Sequence, residues 1–453
     1  MDDLAWLGIA EAGRRFRSGE LSPVELARAL LERIERLDPE YHAFLLVTAD
    51  RALAQAEQAG RELARQTDRG PFHGIPYALK DIVDVAGLPT TCHSKILAGN
   101  VASRDAALVT RMNEAGGVML GKAALHEFAT GGPTQELPWP AARNPWNKAL
   151  HPGGSSSGSG TAVAAGFVPG AVGTDTAGSI RNPATCCGLI GMKPTFGLVS
   201  TEGVFPLAQS LDHAGPITRT VEDNAIMLAA MAGRPAAFYL AAMREPLQGL
   251  RIGVIEHFYA EDAAADPRMV SALGDAVRVL RELGANVQPV RLPPLADWDA
   301  CGRTIQQFEQ YAVHRDWLRT RPQDYCTLSR TKLSAGASIA REEYERALQE
   351  RVGLVEAYAT LMQRFEAVVT LSALELPCRL DDAQRIAATY SRHLRMPFSL
   401  AGVPALAVPT GFTDDGLPLG MQVAAAPMHE AILYRIAWAY CEATRWTDRH
   451  PPQ

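Results

Sequence analysis

The stretch Gly153-Gly-Ser155-Ser-Ser-Gly-Ser-Gly160-Thr-Ala-Val-Ala-Ala-Gly166 opens as a run of serine and glycine. It then passes without a break into small apolar residues that continue to Pro169. By composition its first half fits a flexible linker. A linker has no reason to lead into a segment that must be buried, and Thr161 to Pro169 is such a segment. Eight glycines lie between Gly153 and Gly178. That density suits close approach of backbones and N–H groups turned toward a ligand.

Working outward, Tyr77 to Val85 reads as an apolar strand with Lys80 and Asp81 inside it, and Val118 to Leu120 as a short buried strand. A helix is expected from Ser22, where Ser22-Pro23-Val24-Glu25 places an N-cap, a proline at N1 and a capping-box glutamate in order. Ala27, Leu30, Leu31, Ile34 and Leu37 follow at helical spacing as far as Pro39, and 46–66 reads as a second, Ala-rich helix. Toward the C-terminus, strands are expected at Arg251–Ile255, 286–291, 368–371, 405–408 and 421–424, and helices at 268–283, 300–320, 341–366 and 429–445. The stretch 232–250 reads as a surface connection. Alternation on this scale implies an α/β fold with a mixed sheet and covering helices. No internal repeat and no boundary-forcing linker appears, so the expectation is a single domain over 1–453.

The 453 residues are 47% hydrophobic and 21% charged, enough apolar surface for a large core and far from a disordered composition. A net charge of −6 argues against a protein that grips phosphate backbones over a broad face. No apolar run reaches the ~18 residues of a spanning helix, and Met1-Asp2-Asp3-Leu4 does not open like a signal peptide, so a cytoplasmic location is expected. The seven cysteines are irregularly spaced without C-x-x-C and should be reduced and mostly buried.

Three short motifs imitate known chemistry. Gly116-Gly-Val-Met-Leu-Gly121-Lys122 follows a P-loop until Ala123 stands where Ser or Thr must hold Mg²⁺. Gly154-Ser-Ser156-Ser-Gly158 fits a nucleophile elbow with Ser156 as nucleophile, but the pattern is degenerate in a Ser/Gly tract. Ser329-Arg-Thr-Lys332 fits S-x-x-K without its companion motifs, and a helix-end serine with a surface lysine explains it better. No histidine cluster has metal-ligand spacing.

A better constellation is Gly173-Thr-Asp175-Thr-Ala-Gly178-Ser179-Ile-Arg181-Asn-Pro183, where a serine follows small residues whose N–H groups can converge on one oxygen. Lys80, within an apolar strand, is a second element: a snorkelling edge residue by default, a base if serines surround it.

These segments, with Cys187-Gly-Leu-Ile-Gly-Met-Lys-Pro-Thr195, Lys80-Asp-Ile-Val-Asp84, Ser210-Leu-Asp-His-Ala-Gly-Pro216, Gly402–Pro409 and Gly416–Gln422, resemble the amidase signature family of serine hydrolases. The likeness spans nearly the whole chain and is densest over 70–225, with 232–400 the more variable, substrate-side region. It implies a large mixed, twisted β-sheet covered by helices on both faces. It also implies a Ser–Ser–Lys triad: Ser179 as acylated nucleophile, Ser155 as the bridging serine, usually preceded by a cis peptide bond, and Lys80 as base. The N–H groups of Thr176, Ala177, Gly178 and Ser179 match the oxyanion hole, and Ala129 falls where the family's main chain touches substrate. Ala177 stands where the family more often has Gly, which matters only if φ is positive there.

Asp175 and Arg181 either pair to hold the loop or leave Arg181 for a substrate carboxylate. Trp139 and Trp146 read as packing residues that could instead line an aromatic pocket, and His213 reads as structural. The resulting expectation is an amidase that forms an acyl-enzyme on Ser179, with esters and carbamates (urethanes) as related substrates. It would need no metal or organic cofactor. Its partners would be a small-molecule amide or carbamate, without direct nucleic acid or membrane contact, and it would be a monomer or homodimer. Two alternatives stand beside it: the glutaminase subunit of a tRNA-dependent amidotransferase, and a catalytically dead binding protein.

Overall fold

The computed structural model describes residues 2–389 and 394–452. Among them, eleven strands join in one sheet: β1 Phe44–Val47, β2 Pro76–Lys80, β3 Val118–Ala123, β4 Gly170–Asp175, β5 Ile190–Lys193, β6 His213–Thr218, β7 Arg251–Ile255, β8 Asn286–Val290, β9 Ala367–Leu371, β10 Ala405–Phe412 and β11 Pro418–Ala425. Their spatial order is β1-β3-β2-β4-β6-β5-β10-β11-β9-β7-β8. β2 is parallel to β3 and β4, and β7 is parallel to β8 and β9, whereas the central strands from β4 to β9 pair antiparallel. Every residue of β2, β3 and β4 is buried, so both faces of this part of the sheet are covered. This is the mixed α/β architecture that the alternation of elements implies.

The Ser/Gly segment is no linker. Ser157–Ala164 is a helix buried at every position. A Cβ at Gly158 would lie 2.3 Å from the carbonyl oxygen of Ala43 and 2.4 Å from the nitrogen of Ala124. Only glycine lets this helix sit so close to the ends of the neighbouring strands. It packs against β2, β4 and the helix Arg181–Cys187, which brings the segment before it to the edge of the parallel strands.

Ser22 caps the helix Pro23–Tyr41 with both bonds of the capping box present. Pro39 lies inside that helix rather than beyond it, one turn before His42 ends it in the left-handed region. Residues 46–66 differ from expectation: Phe44–Val47 pairs with β3 and only Ala49–Ala64 is helical. The apolar run there serves a sheet edge, a distinction that periodicity over so few residues does not make. β4, β5 and β6 escape a propensity reading because glycine and proline dilute them; pairing on both sides decides their state. Within 232–250, Ala237–Met243 is a short helix. The helices expected at 268–283, 300–320 and 341–366 span Pro267–Glu282, Leu295–Thr320 and Arg341–Met362. The seven cysteines are buried and form no disulfide, and among the described residues no helix is long and apolar enough to cross a membrane.

β2 stops at Lys80 because the chain turns there: the N–H groups of Ile82 and Val83 both donate to the Lys80 carbonyl, at 2.7 and 3.2 Å. Asp81 therefore leaves on the other side, where it forms a fully buried ion pair with Lys122 at 2.7 Å and accepts the Thr91 N–H and hydroxyl. The lysine of the P-loop lookalike is thus part of the scaffold. Removing one partner of a buried pair strands the other charge, at about 3–5 kcal/mol. Lys122→Met is expected to cost stability on that order, read as a lowered unfolding midpoint in a thermal or urea melt.

Candidate active site

Because β2 and β4 run parallel, their carboxyl ends emerge on the same side, where open α/β sheets bind ligands. Lys80 ends β2, and Thr174 and Asp175 end β4. The Lys80 side chain is completely buried, so it does not snorkel to water. Its Nζ lies 2.8 Å from Ser155 Oγ and 2.7 Å from Thr174 Oγ1. Burial pushes the Lys80 amine down to about 7, against the opposing pull of the Asp175 and Asp212 carboxylates. An amine so displaced is substantially neutral near pH 7. It can then donate one hydrogen to Thr174 and turn its lone pair to the Ser155 hydroxyl.

Ser155 precedes the buried helix, and the Gly154–Ser155 peptide is cis. The Ser155 carbonyl accepts the His126 N–H at 3.0 Å. Ser156, the residue of the nucleophile-elbow lookalike, exchanges both its hydroxyl bonds with the Thr174 backbone at 3.2 Å and is fully buried, so it ties the segment to β4. Ser179 is half-buried on the loop that follows β4, and its carbonyl accepts the Ser156 N–H at 3.3 Å. That bond joins the two serine segments side by side.

Ser155 and Ser179 both line one cavity of about 270 Å³. His126, Ala129, Gly154, Thr176, Ala177 and Gly178 share its wall. Arg303, Gln306, Gln307 and Gln310 from the helix Leu295–Thr320, Lys332 from the helix Thr327–Ser334, and Arg395, which packs against Gly178, line it as well. Lys332 is therefore not the surface lysine of a chance motif: it reaches the cavity and donates to the Gly131 carbonyl at 2.9 Å.

The nucleophile loop is held from beneath. Asp175 Oδ1 accepts the Gly178 N–H at 2.6 Å, and Oδ2 accepts the Ile180 N–H at 3.3 Å. The Gly178 N–H is thus already committed, which removes it from the expected set of oxyanion donors and leaves Thr176, Ala177 and Ser179. The positive φ of this loop, +127°, falls on Gly178 and not on Ala177, so alanine at 177 carries no backbone penalty. Ala129 gives its own N–H to the His126 carbonyl at 2.8 Å, so it can offer a substrate only its carbonyl.

The choice left open for Arg181 is decided by its bonds. It is completely buried, pairs with Asp175 through Nε (3.0 Å) and Nη2 (3.1 Å), and also donates to Gln422 Oε1 and Ser399 Oγ, each at 2.8 Å. Burial would raise the Asp175 carboxyl, but the Arg181 guanidinium overrides it and holds the group below the usual carboxylate range. Arg181 is a loop anchor, not a ligand for substrate. Trp139 packs edge-on against His93, and Trp146 donates to the Cys187 carbonyl at 2.8 Å; neither lines the cavity. His213 is buried between the Leu211 and Asp175 carbonyls and Lys193, as a structural histidine should be. Sequence reasoning missed Thr174, His126 and the polar face of residues 303–310. Only the last left a signal, since Arg303, Gln306, Gln307 and Gln310 recur at helical spacing.

The family described as Amidase matches residues 25–433. A glutamyl-tRNA(Gln) amidotransferase subunit of Gloeobacter violaceus is 36% identical over 98% of this chain and 98% of its own length. A solved structure described as revealing the evolutionary origins of an s-triazine catabolic enzyme through a vestigial protein complex superposes with a TM-score of 0.89 at 31% identity, covering 97% of this chain and 98% of that one. The native peptide amidase of Stenotrophomonas maltophilia superposes at 0.85 with 31% identity, over 99% and 98% of the two chains. The chain belongs to the amidase family, whose members act on carbon–nitrogen bonds, and it is an enzyme of that kind.

Thr174 Oγ1 accepts a hydrogen bond from the Lys80 amine at 2.7 Å, and Thr174 is not among the residues that line the cavity. Thr174→Val keeps the shape and removes the acceptor, and is expected to lower kcat about tenfold to a hundredfold with little change in KM. Steady-state kinetics on any amide the enzyme turns over would check it.

Proposed function

We propose that this enzyme hydrolyses the amide bond of a small molecule through an acyl-enzyme on Ser179, with Lys80 as base and Ser155 as the relay between them. The observation that carries this reading is the buried Lys80 amine 2.8 Å from Ser155 Oγ, in the wall of the cavity that Ser179 also lines. Ser155 passes its proton to neutral Lys80 and takes the Ser179 proton as Ser179 Oγ bonds to the carbonyl carbon. The carbonyl oxygen becomes an oxyanion, held by the N–H groups of Thr176, Ala177 and Ser179; each such donor contributes some 2.7–4 kcal/mol in comparable sites. The intermediate collapses by breaking the C–N bond while the relay returns a proton to the leaving nitrogen. Water then attacks the acyl-enzyme by the same route in reverse and frees the acid and Ser179. Esters and carbamates present the same carbonyl and fall within this chemistry. The single sheet, which draws strands from both halves of the chain, supports reading 1–453 as one domain.

A second reading is the glutaminase subunit of a tRNA-dependent amidotransferase. It is favoured by relatives named as glutamyl-tRNA(Gln) amidotransferase subunits, 34–38% identical over 98–100% of this chain. By kinship of sequence it stands ahead of a free-standing amidase, and the chemistry at Ser179 is the same. Glutaminase activity and co-purifying subunits distinguish the two, and a hydrolysis screen over aliphatic amides, anilides, carbamates and glutamine is the experiment.

Ser179→Ala is expected to abolish turnover and labelling by a fluorophosphonate while leaving the circular dichroism spectrum intact; retained turnover would sink the assignment. Lys80→Ala should cost about 10²–10⁴-fold at neutral pH. The pH profile carries a sign: only the neutral amine accepts a proton, so kcat/KM should rise with pH through about 7 and level off above it. A rate that falls across that range would remove Lys80 from the role of base.

A further inference from the structure

The cavity that Ser155 and Ser179 share is cationic. Arg303, Lys332 and Arg395 line it, and among the described residues that line it there is neither Asp nor Glu. Arg303 lies one helical turn from Asp299 and bonds it at 3.1 Å, yet 48% of its side chain stays exposed. Gln310, which is 2% exposed, donates from Nε2 to the Lys332 carbonyl at 2.7 Å, while its Oε1 is buried without a hydrogen-bond partner. Arg303, Gln306, Gln307 and Gln310 occupy one face of a single helix. A helix of a packed domain ordinarily turns apolar residues inward at that spacing, so a polar and cationic face on a cavity suits a polar ligand.

Building on the hydrolase reading above, we infer that the substrate is a small amide bearing a carboxylate away from its scissile bond, the carboxylate received by Arg303 and Lys332 and a substrate N–H or O–H by Gln310 Oε1. Burial and, after it, the neighbouring Arg303 together lower the Lys332 amine to about 8; an anion between the two cations would favour the charged form of both. Charge-assisted bonds of this kind are among the stronger ones a site can offer. Glutamine brings an ammonium as well as a carboxylate, and the described lining residues include no acid for the former. The cavity thus suits a mono-anion better than a zwitterion.

The test is competition for Ser179, which does not depend on turnover. Fluorophosphonate labelling is measured in the presence of two carboxylates, succinamate and N-acetylglycinate, and of their neutral counterparts, butyramide and N-acetylglycinamide, with glutamine alongside. At least one carboxylate is expected to protect at a concentration about tenfold lower than its counterpart. That advantage should shrink to less than about threefold in Arg303→Gln, a half-exposed site that tolerates the change, or in Lys332→Met. The inference is overturned if neither carboxylate outcompetes its neutral counterpart, or if the advantage survives in both variants. Glutamine protecting better than either carboxylate overturns it too and returns the glutaminase reading. Failure of the probe to label Ser179 under any condition removes the hydrolase reading itself, and the inference with it.

Discussion

A lysine amine that cannot reach water is the constraint on which this site rests. Lysine has a long stem and ordinarily carries its charge to the surface. Lys80 is denied that exit because it ends a strand flanked on both sides, by β3 and β4, with every residue buried. Desolvation then takes the amine from 10.5 to about 7, a displacement worth roughly 5 kcal/mol. Its hydrogen-bond neighbours are two hydroxyls, which tolerate either protonation state, and among the described residues no carboxylate bonds it to fix the charge. Packing thus leaves this amine substantially neutral near pH 7.

Such an amine stays neutral only if nearby negative charge is cancelled. Asp175 sits on the adjacent strand and pulls the amine upward. It is needed there, because its two oxygens hold the N–H groups that shape the nucleophile loop. Arg181 resolves the conflict: its paired guanidinium neutralises Asp175 in place, and Gln422 and Ser399 take its remaining bonds. The fixed ion pair lies beneath the loop and the titrating amine beside it. Asp212, pushed up to about 6 by burial, accepts the Thr176 hydroxyl at 2.6 Å and secures the other end of the same loop.

The sequence exposes this site unevenly, for physical reasons. Ser155, Ser179 and Lys80 stand out because serine in a glycine-rich tract and lysine in an apolar strand each break a local pattern. Thr174 does not, because threonine is an ordinary strand residue, and only pairing of β2 with β4 carries its hydroxyl to the amine. The Gly178 N–H looks free for substrate because loop N–H directions are not encoded locally; a carboxylate three residues earlier claims it. Lys332 passes for a surface residue since nothing near it in the chain reveals that its helix closes over Gly131. Strands β4 to β6 are hidden for a related reason: glycine and proline lower local strand preference, and their neighbours in the sheet restore it.

The cavity has two walls of different origin, and this bears on how such a scaffold accommodates different substrates. One wall, from His126 to Asn182, grows from the parallel strand ends and the buried Ser/Gly helix, where even a methyl group at Gly158 would strike backbone. Beneath it, Ser156 is bonded to the Thr174 backbone of β4 and Asp175 to the N–H groups of Gly178 and Ile180. The other wall comes from the helices around residues 303–332 and from Met396, and Arg395 packs against Gly178 between the two. Arg303 on that wall is half-exposed and bonds within its own helix, so replacing it disturbs no sheet pairing. A substitution at Arg303 can therefore alter the cavity lining while the sheet that sets the distance from Lys80 to Ser155 stays in place.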